Sequence, residues 1–443
     1  VRETVRTDAL VMGGGIAGLQ AALDLANQGF SVVVVEREPS IGGKMIGLSK
    51  VFPTLDCSSC ICTPKMAAAA HHENITLMTY SELSGTERTG KRFRAKVTKK
   101  PRYVDEDACI GCRLCEYACD VYLEDEFQGG LGARKAISIP FSNAIPQVAV
   151  LDLDGCIFCG KCAKACPTDA LDYLQQSEEV VIDTGTIILA TGYSLTSVAN
   201  APKYGQGRLT NVLGALQMER LLAPHGPYGH VLRPSDGKMP DTVAYVQCAG
   251  SRDRSLGVPW CSRVCCMYAI KQAMLLAGSL PLVEITIYYM DIRAFGKGFE
   301  QFYRNAKAMG IEFVKAKVAK IAEDDRRNPV VRIEMMEAGG QVEERTHDLV
   351  VLSPGVVPAW DPEGIVPVGK GSDGFVRAPS PALSPCRTDV EGVFVAGTAA
   401  GPKDIPDSIV EAGAAAMQAA NYLKAATRVR ELVLAAEEAV PGG

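Results

Sequence analysis

The chain has 443 residues, of which 47% are hydrophobic and 22% charged, with a formal net charge of -5. That length accommodates two or three domains, and mild acidity without any basic tract argues against a nucleic-acid binder. No run of about 18 uncharged apolar residues occurs, which argues against a membrane span, and the opening decad VRETVRTDAL lacks a signal-peptide core.

Sixteen cysteines gather in CxxC-type clusters. Without a signal peptide they point to metal in a reducing, cytoplasmic compartment rather than to disulfides. Buried structural thiols would be scattered instead.

Residues 8–36 read DALVMGGGIAGLQAALDLANQGFSVVVVE. A strand over Ala9–Met12 meets Gly13, Gly15 and Gly18. A helix to about Gln28 follows, then a second strand closing on Glu36. The glycines permit a tight turn and close approach of a pyrophosphate to the helix N-terminus, and Glu36 suits ribose hydroxyls. A lone glycine motif is weak evidence, but strand, helix, strand and acid together are strong. Gly42 and Gly43, with Lys44 beside them, favour FAD over NAD. Two later stretches agree. TIILATGY (186–193), with Ala190, Thr191 and Gly192, reads as the strand and turn that return to a flavin domain. GVFVAGTAAGPKDIPDSIVEAGAAAMQAA (392–420) reads as its closing strand and helix, with Gly397, Thr398 and Ile405 towards the flavin, where a helix dipole stabilises negative charge.

Between these lies FPTLDCSSCICTPKM (52–66), a cysteine-bearing loop. Cys57, Cys60 and Cys62 offer three thiolates where a cubane cluster takes four. They are either buried thiols near the flavin or a site completed by a partner chain. Pairing with the isolated Cys386 has no spacing argument.

Residues 101–175 form a separate unit. Cys109, Cys112, Cys115 and Cys119 are followed by Cys156, Cys159, Cys162 and Cys166, then Pro167. In this two-cluster pattern each fourth cysteine ligates the other cluster. One [4Fe–4S] cluster is therefore expected on Cys109, Cys112, Cys115 and Cys166, the second on Cys156, Cys159, Cys162 and Cys119. Zinc sites use pairs of CxxC rather than triplets plus one. Asp120 stands where proline often follows the first motif, and the linker 120–155 is long. The flavin domain resumes directly afterwards, so the insert is held by two linkers and suits a permanent relay.

From about 240 a second dinucleotide-like fold begins with the strand VAYVQ. The expected glycine loop is replaced by CAGSRDRSLGVPWCSRVCCMYAIK (248–271), so the turn carries thiols rather than a nicotinamide site. Cys248, Cys261, Cys265 and Cys266 are either structural thiols or ligands of a further [4Fe–4S] cluster, with adjacent Cys265 and Cys266 aimed at one centre. Lys271 is either a solvated lysine or a catalytic group that approaches flavin N5 and stabilises the anionic reduced ring.

FPTLDCSSCICTPKM, CAGSRD with CSRVCCMYAIKQA, MDIRAFGKGFEQFYRNA and FVAGTAAGPKDIPDSIVEA together resemble the flavin-bearing A-type subunit of heterodisulfide reductases over nearly the whole chain. The resemblance implies a cluster at Cys248, Cys261, Cys265 and Cys266 near the FAD, and Lys271 near N5. It implies electron pairs split into single electrons, one branch leaving through the insert to ferredoxin and the other through partner subunits. Those partners include heterodisulfide reductase B/C-like subunits and a hydrogenase or formate dehydrogenase-type donor. The expected state is a hetero-oligomer, with dimerisation also suggested. Full-length relatives carry further N- and C-terminal cluster domains, so this chain is expected to be a short form, with Cys57, Cys60 and Cys62 marking a docking point.

The expected architecture is α/β, a thioredoxin-reductase-like flavoprotein of two dinucleotide-binding domains with an inserted bacterial-type ferredoxin. Its parts are the flavin domain at 1–100, 176–239 and 356–443, the insert at 101–175, and the second domain at 240–355. The leading functional expectation is flavin-based electron bifurcation or confurcation. The alternatives are a non-bifurcating relay feeding a quinone-linked or acyl-CoA-type reductase, and an NAD(P)H-dependent reductase resembling the glutamate synthase small subunit. The last conflicts with the missing second glycine loop.

Overall fold

The computed structural model describes residues 4–197, 201–337 and 339–438, with side chains of the closing helix as far as residue 426. Of the stretches read above, residues 1–3 of the opening decad, 198–200, 338 and 439–443 lie outside it.

The first domain opens with β1 (Thr4–Met12), α1 (Ile16–Ala26), β2 (Val32–Val35), α2 (Ser58–Ala70), β3 (Ile75–Met78), β4 (Ser81–Thr89) and β5 (Arg92–Lys99). β1 starts five residues before the expected Ala9, because the extra residues pair with a long strand, β10 (Glu178–Leu189), that only the fold supplies. The sheet runs β3-β2-β1-β10-β5-β4. β2 is four consecutive valines, all buried, as a central parallel strand covered on both faces requires. The segment 52–66 is not wholly a loop: from Ser58 it is helix, with Cys57 as its N-cap.

The insert contains two five-residue helices, α3 (Leu114–Ala118) and α4 (Lys161–Ala165), and the short strands β6 (Tyr122–Glu124), β7 (Ala133–Lys135), β8 (Ile137–Ser138) and β9 (Val150–Leu151). Its halves repeat one device. Each helix is entered through a left-handed residue, Arg113 or Gly160, and left through an extended cysteine, Cys119 or Cys166. The stem is hydrogen-bonded: Lys99 at the end of β5 pairs with Glu178 at the start of β10. The insert also lies against the flavin domain. Arg102, 1% exposed, donates to Pro39 O and Thr79 Oγ1 at 2.7 and 2.6 Å and pairs with Glu106. Asn143 donates to Thr63 Oγ1 at 2.6 Å, and Ile41 N to Ile145 O at 3.0 Å.

β11 (Tyr193–Leu195) leaves the flavin sheet, and β12 (Val212–Gly214) and α5 (Ala215–Leu222) lead into the second domain. That domain has β13 (Thr242–Val246), α6 (Cys265–Ser279), β14 (Glu284–Tyr289), α7 (Phe299–Ala308), β15 (Glu312–Glu323), β16 (Pro329–Met335), β17 (Val342–Thr346) and β18 (Leu349–Leu352). Its sheet order is β12-β18-β13-β14-β15-β16-β17. β19 (Val356–Pro358) pairs with β11 to close the crossing between domains. β20 (Val393–Val395) then joins β10, and α8 (Ile405–Glu438) follows. Ala412, Ala415, Ala416, Ala419 and Ala420 of α8 are buried in one core with the alanines of α1, because only small side chains let two helices lie this close.

Candidate functional site

Three groups of side chains sit at the ends of these strands. At the first, Gly13 takes φ +103°, and a Cβ there would lie 2.4 Å from Ala190 O. A Cβ on Gly18 would lie 1.8 Å from Gly13 O, and one on Gly43 would lie 2.8 Å from Gly15 Cα. Only glycine fits this cradle, which brings the loop at Gly43 against the entrance of α1. Gly15 caps α1 without a side-chain acceptor, so first-turn N–H groups remain for a phosphate. Glu36 is buried; it accepts from Gly14 N at 2.6 Å and Glu38 N at 2.9 Å, while desolvation raises its carboxyl pKa. Ala190 N donates to Met12 O at 2.8 Å, and Gly192 takes φ +76°. Burial lowers the Lys44 pKa, and its Nζ lies 5.4 Å from the centre of the Tyr193 ring. Gly397 meets Ala17 of α1, Thr398 lies in the following turn, and Ile405 begins α8. A backbone cradle beside a free helix N-terminus and a buried acid fits a dinucleotide.

The second group is in the insert. One cavity is lined by Cys109, Cys112, Cys115 and Cys166, and another by Cys119, Cys156, Cys159 and Cys162. Each closely spaced triplet thus meets the last cysteine of the other half. Among the described residues no three Cys, His, Asp or Glu are drawn together around a single ion. The thiols enclose space instead, as a cubane demands. Ala170 N donates to Cys166 Sγ and Phe158 N to Cys156 Sγ, both at 3.3 Å.

The third group follows β13. Cys248 occupies a left-handed turn at φ +58°, and Cys265 and Cys266 are the first two residues of α6. The Cys265 thiol neighbours those of Cys248 and Cys266, which together with burial push its pKa well above the ordinary thiol value. It lowers the Cys248 pKa, burial opposes, and the neighbouring Arg252 guanidinium adds to the lowering. Cys266 Sγ donates to Asp291 O at 3.8 Å. Cys261 is half-buried on the preceding loop, its Sγ accepting from Arg263 N at 3.3 Å.

Lys271 is no solvated lysine. It is 1% exposed and ion-paired with Glu219 of α5. Glu219 also accepts from Gln272 Nε2 at 2.6 Å, Ser49 Oγ at 2.7 Å and Ser49 N at 3.0 Å. Burial lowers the Lys271 pKa and Glu219 opposes; burial would raise Glu219, but Lys271 and the other donors hold it below the usual carboxylate range. Sequence reasoning missed Glu219 and Ser49. The one available signal was an acid on the apolar face of the short helix ALQMERLL, where Met218, Glu219 and Leu221 are all buried.

The N-terminal trio differs from three free thiolates. Cys57 and Cys60 form a disulfide, leaving Cys62, buried, donating to Gly42 O at 3.8 Å. Cys386 is a free buried thiol that donates to Glu411 O at 3.3 Å.

A dinucleotide cradle, an inserted dicluster unit and a second dinucleotide fold define an FAD and iron–sulfur protein of the oxidoreductase class. Comparison with known proteins agrees with that class. Residues 8–100 match the FAD dependent oxidoreductase family, and residues 108–171 the 4Fe-4S dicluster domain. Thioredoxin reductases of T. acidophilum and Lactococcus lactis share the fold, with TM-scores of 0.54 and 0.53 at 15% identity. They cover 95% and 94% of this chain, and 99% of each of their own is matched.

The A-type subunit of the H(2):CoB-CoM heterodisulfide,ferredoxin reductase of Methanothermobacter marburgensis is 45% identical across 100% of this chain and 68% of its own length. Its counterpart in the H(2)/formate:CoB-CoM heterodisulfide,ferredoxin reductase of Methanococcus maripaludis is 44% identical over 99% of this chain and 68% of its own. The chain belongs to this family, the A-type subunits of heterodisulfide reductases. No helix among the described residues is long and apolar enough to cross a membrane.

Proposed function

We propose that this chain is the electron-splitting component of a heterodisulfide reductase-like complex, exchanging electrons between a hydrogenase- or formate dehydrogenase-type donor, ferredoxin and a second acceptor. FAD handles electrons in pairs and [4Fe–4S] clusters handle them singly, which is what dividing a pair requires. Gly13, Gly15, Gly18 and Gly43 admit the pyrophosphate, and Glu36 takes the ribose hydroxyls. Ala190, Thr191, Gly192, Gly397, Thr398 and Ile405 border the rest of the dinucleotide. The eight insert cysteines hold two clusters in the crossed pairing, and Cys248, Cys261, Cys265 and Cys266 hold a third. Lys271 keeps a positive charge and a movable proton at Nζ beside the flavin, oriented by Glu219. Once two electrons have reduced the Cys57–Cys60 disulfide, Cys57, Cys60 and Cys62 offer three thiolates to a cluster completed by a partner chain.

The observation that carries this function is helix α6. It begins on two cysteines and, about 7.5 Å further along its axis, buries Lys271 against Glu219, which also accepts from Ser49 of the first domain. One rigid element joins the thiol site to the Lys271–Glu219 pair, which supports placing both beside the flavin at a fixed separation.

Two measurements on anaerobically purified material test it, iron per FAD on this chain alone and ferredoxin reduction on the complex. Three cubanes predict about 12 iron atoms per FAD in this chain; about 8 would confine the clusters to the insert. Splitting predicts that ferredoxin is reduced only when the second acceptor is also supplied. Equal rates without that acceptor would identify a simple relay, and bleaching of the flavin by NAD(P)H a conventional reductase.

A further inference from the structure

We propose that the hydroxyls of Tyr268 and Ser353 are positioning donors to the sulfurs of the cluster at Cys248, Cys261, Cys265 and Cys266, and that they set its reduction potential. The inference rests on the cluster assignment given above.

Tyr268 lies one helical turn beyond Cys265 on α6, so the two share a face. Its hydroxyl lies beside Ser353 and near enough to Cys265 and Cys266 to feel their charge. Ser353 is fully buried just after β18, where its N–H donates to Val246 O at 2.9 Å, two residues before Cys248. Apart from each other, neither hydroxyl has a hydrogen-bond partner within reach, and the buried side chains of Gln247 and Ser251, which flank Cys248, have none.

An unpaired buried polar group costs about 1–3 kcal/mol, and such groups are uncommon in folded proteins. The unpaired hydroxyls of Tyr268, Ser353 and Ser251 and the Gln247 amide N–H mark a place where acceptors are missing. Cluster sulfurs are acceptors, and they carry more negative charge when the cluster is reduced. A donor aimed at them favours the reduced form, most strongly where the local dielectric is low. Arg252 adds a positive charge beside the Cys248 thiol, anchored to Asp291 at 2.5 Å. A buried water is the competing occupant that would also satisfy these hydroxyls.

The test uses whole protein purified without oxygen. The cluster's EPR signal is identified as the one lost in Cys261→Ser, and its midpoint is measured by redox titration. Tyr268→Phe keeps the ring and removes the donor; Ser353→Ala removes the other. Each is expected to lower the midpoint, shifting the ratio of reduced to oxidised cluster at fixed potential about threefold to tenfold, or roughly 30–60 mV at 59 mV per decade. Deuterium coupling to the reduced cluster in D2O should weaken in parallel. A water-filled site would leave the midpoint unmoved. Unchanged midpoints with about 12 iron atoms per FAD overturn the donor role alone, whereas about 8 in the unmodified protein overturn the cluster and the donor role together. Should Tyr268→Phe lose iron or fail to accumulate, Ser353→Ala must show the shift by itself.

Discussion

Replacing Glu219 by glutamine keeps the shape of the side chain and removes its charge. Lys271 is then a buried ammonium without an anion, since Glu219 is its ionic partner and both side chains are nearly inaccessible. Breaking a buried pair on one side costs about 3–5 kcal/mol, and the two donors from Ser49 and the one from Gln272 lose their charged acceptor as well. Glu219→Gln should therefore lower the unfolding free energy obtained from urea titration by an amount in that range. Removing both charges in Glu219→Gln/Lys271→Met should recover most of the loss, because no uncompensated ion remains. The pH dependence has a definite sign. Without Glu219 the folded-state pKa of Lys271 falls further below its unfolded value, so between those two values the unfolded chain binds the extra proton. Stability of the variant then rises with pH across that window. The assay is urea unfolding at several pH values from 7 to 10, read against the parent. A deficit that is flat across that range, or a double variant whose loss equals the sum of the single losses, would refute the coupling.

Cys166→Ala should abolish the same EPR signal as Cys109→Ala, and Cys119→Ala the same signal as Cys156→Ala; matching losses within each half of the insert would exclude the crossed pairing. Gly18→Ala sets a Cβ 1.8 Å from Gly13 O, which should reduce bound flavin at least tenfold, measured by absorbance after desalting, while insert iron is retained. His347 is buried against Tyr288 at 2.8 Å, and burial first, then Arg345, hold its pKa at about 4. Below the ordinary histidine value of about 6.5 the unfolded chain takes the proton and the folded chain does not. Stability should therefore fall by up to about 3 kcal/mol as pH drops from 6.5 to 4, and His347→Gln should flatten that limb in urea titrations.

Much of the fold was legible because its signals are local. Gly13 to Glu36 carry a turn, a helix and a strand in consecutive residues, and the structure forms them with the helix end displaced by about two residues. The second domain was readable from its apolar runs, β13, β14 and β18, each with four consecutive buried residues. The helix from Ser58 was less so, because SSCICTPKM has a proline inside it and no amphipathic stripe. The Cys57–Cys60 disulfide and the separate bond of Cys386 to Glu411 depend on which segments face one another.

Cysteine spacing by itself determined which thiols of the insert could gather, since a triplet separated by two residues each wraps one face of a small body whatever the rest of the chain does. It likewise determined that thiols, not glycines, occupy the turn after β13. What only the tertiary structure decided is the environment those groups meet. Lys271 looks identical on paper to any helical lysine. Its burial and ion pairing follow from Glu219, 52 residues earlier on another helix, and from Ser49 of the first domain, more than 200 residues away. Burial of a charge is a property of the surrounding volume, and that volume is built from segments that no local pattern links.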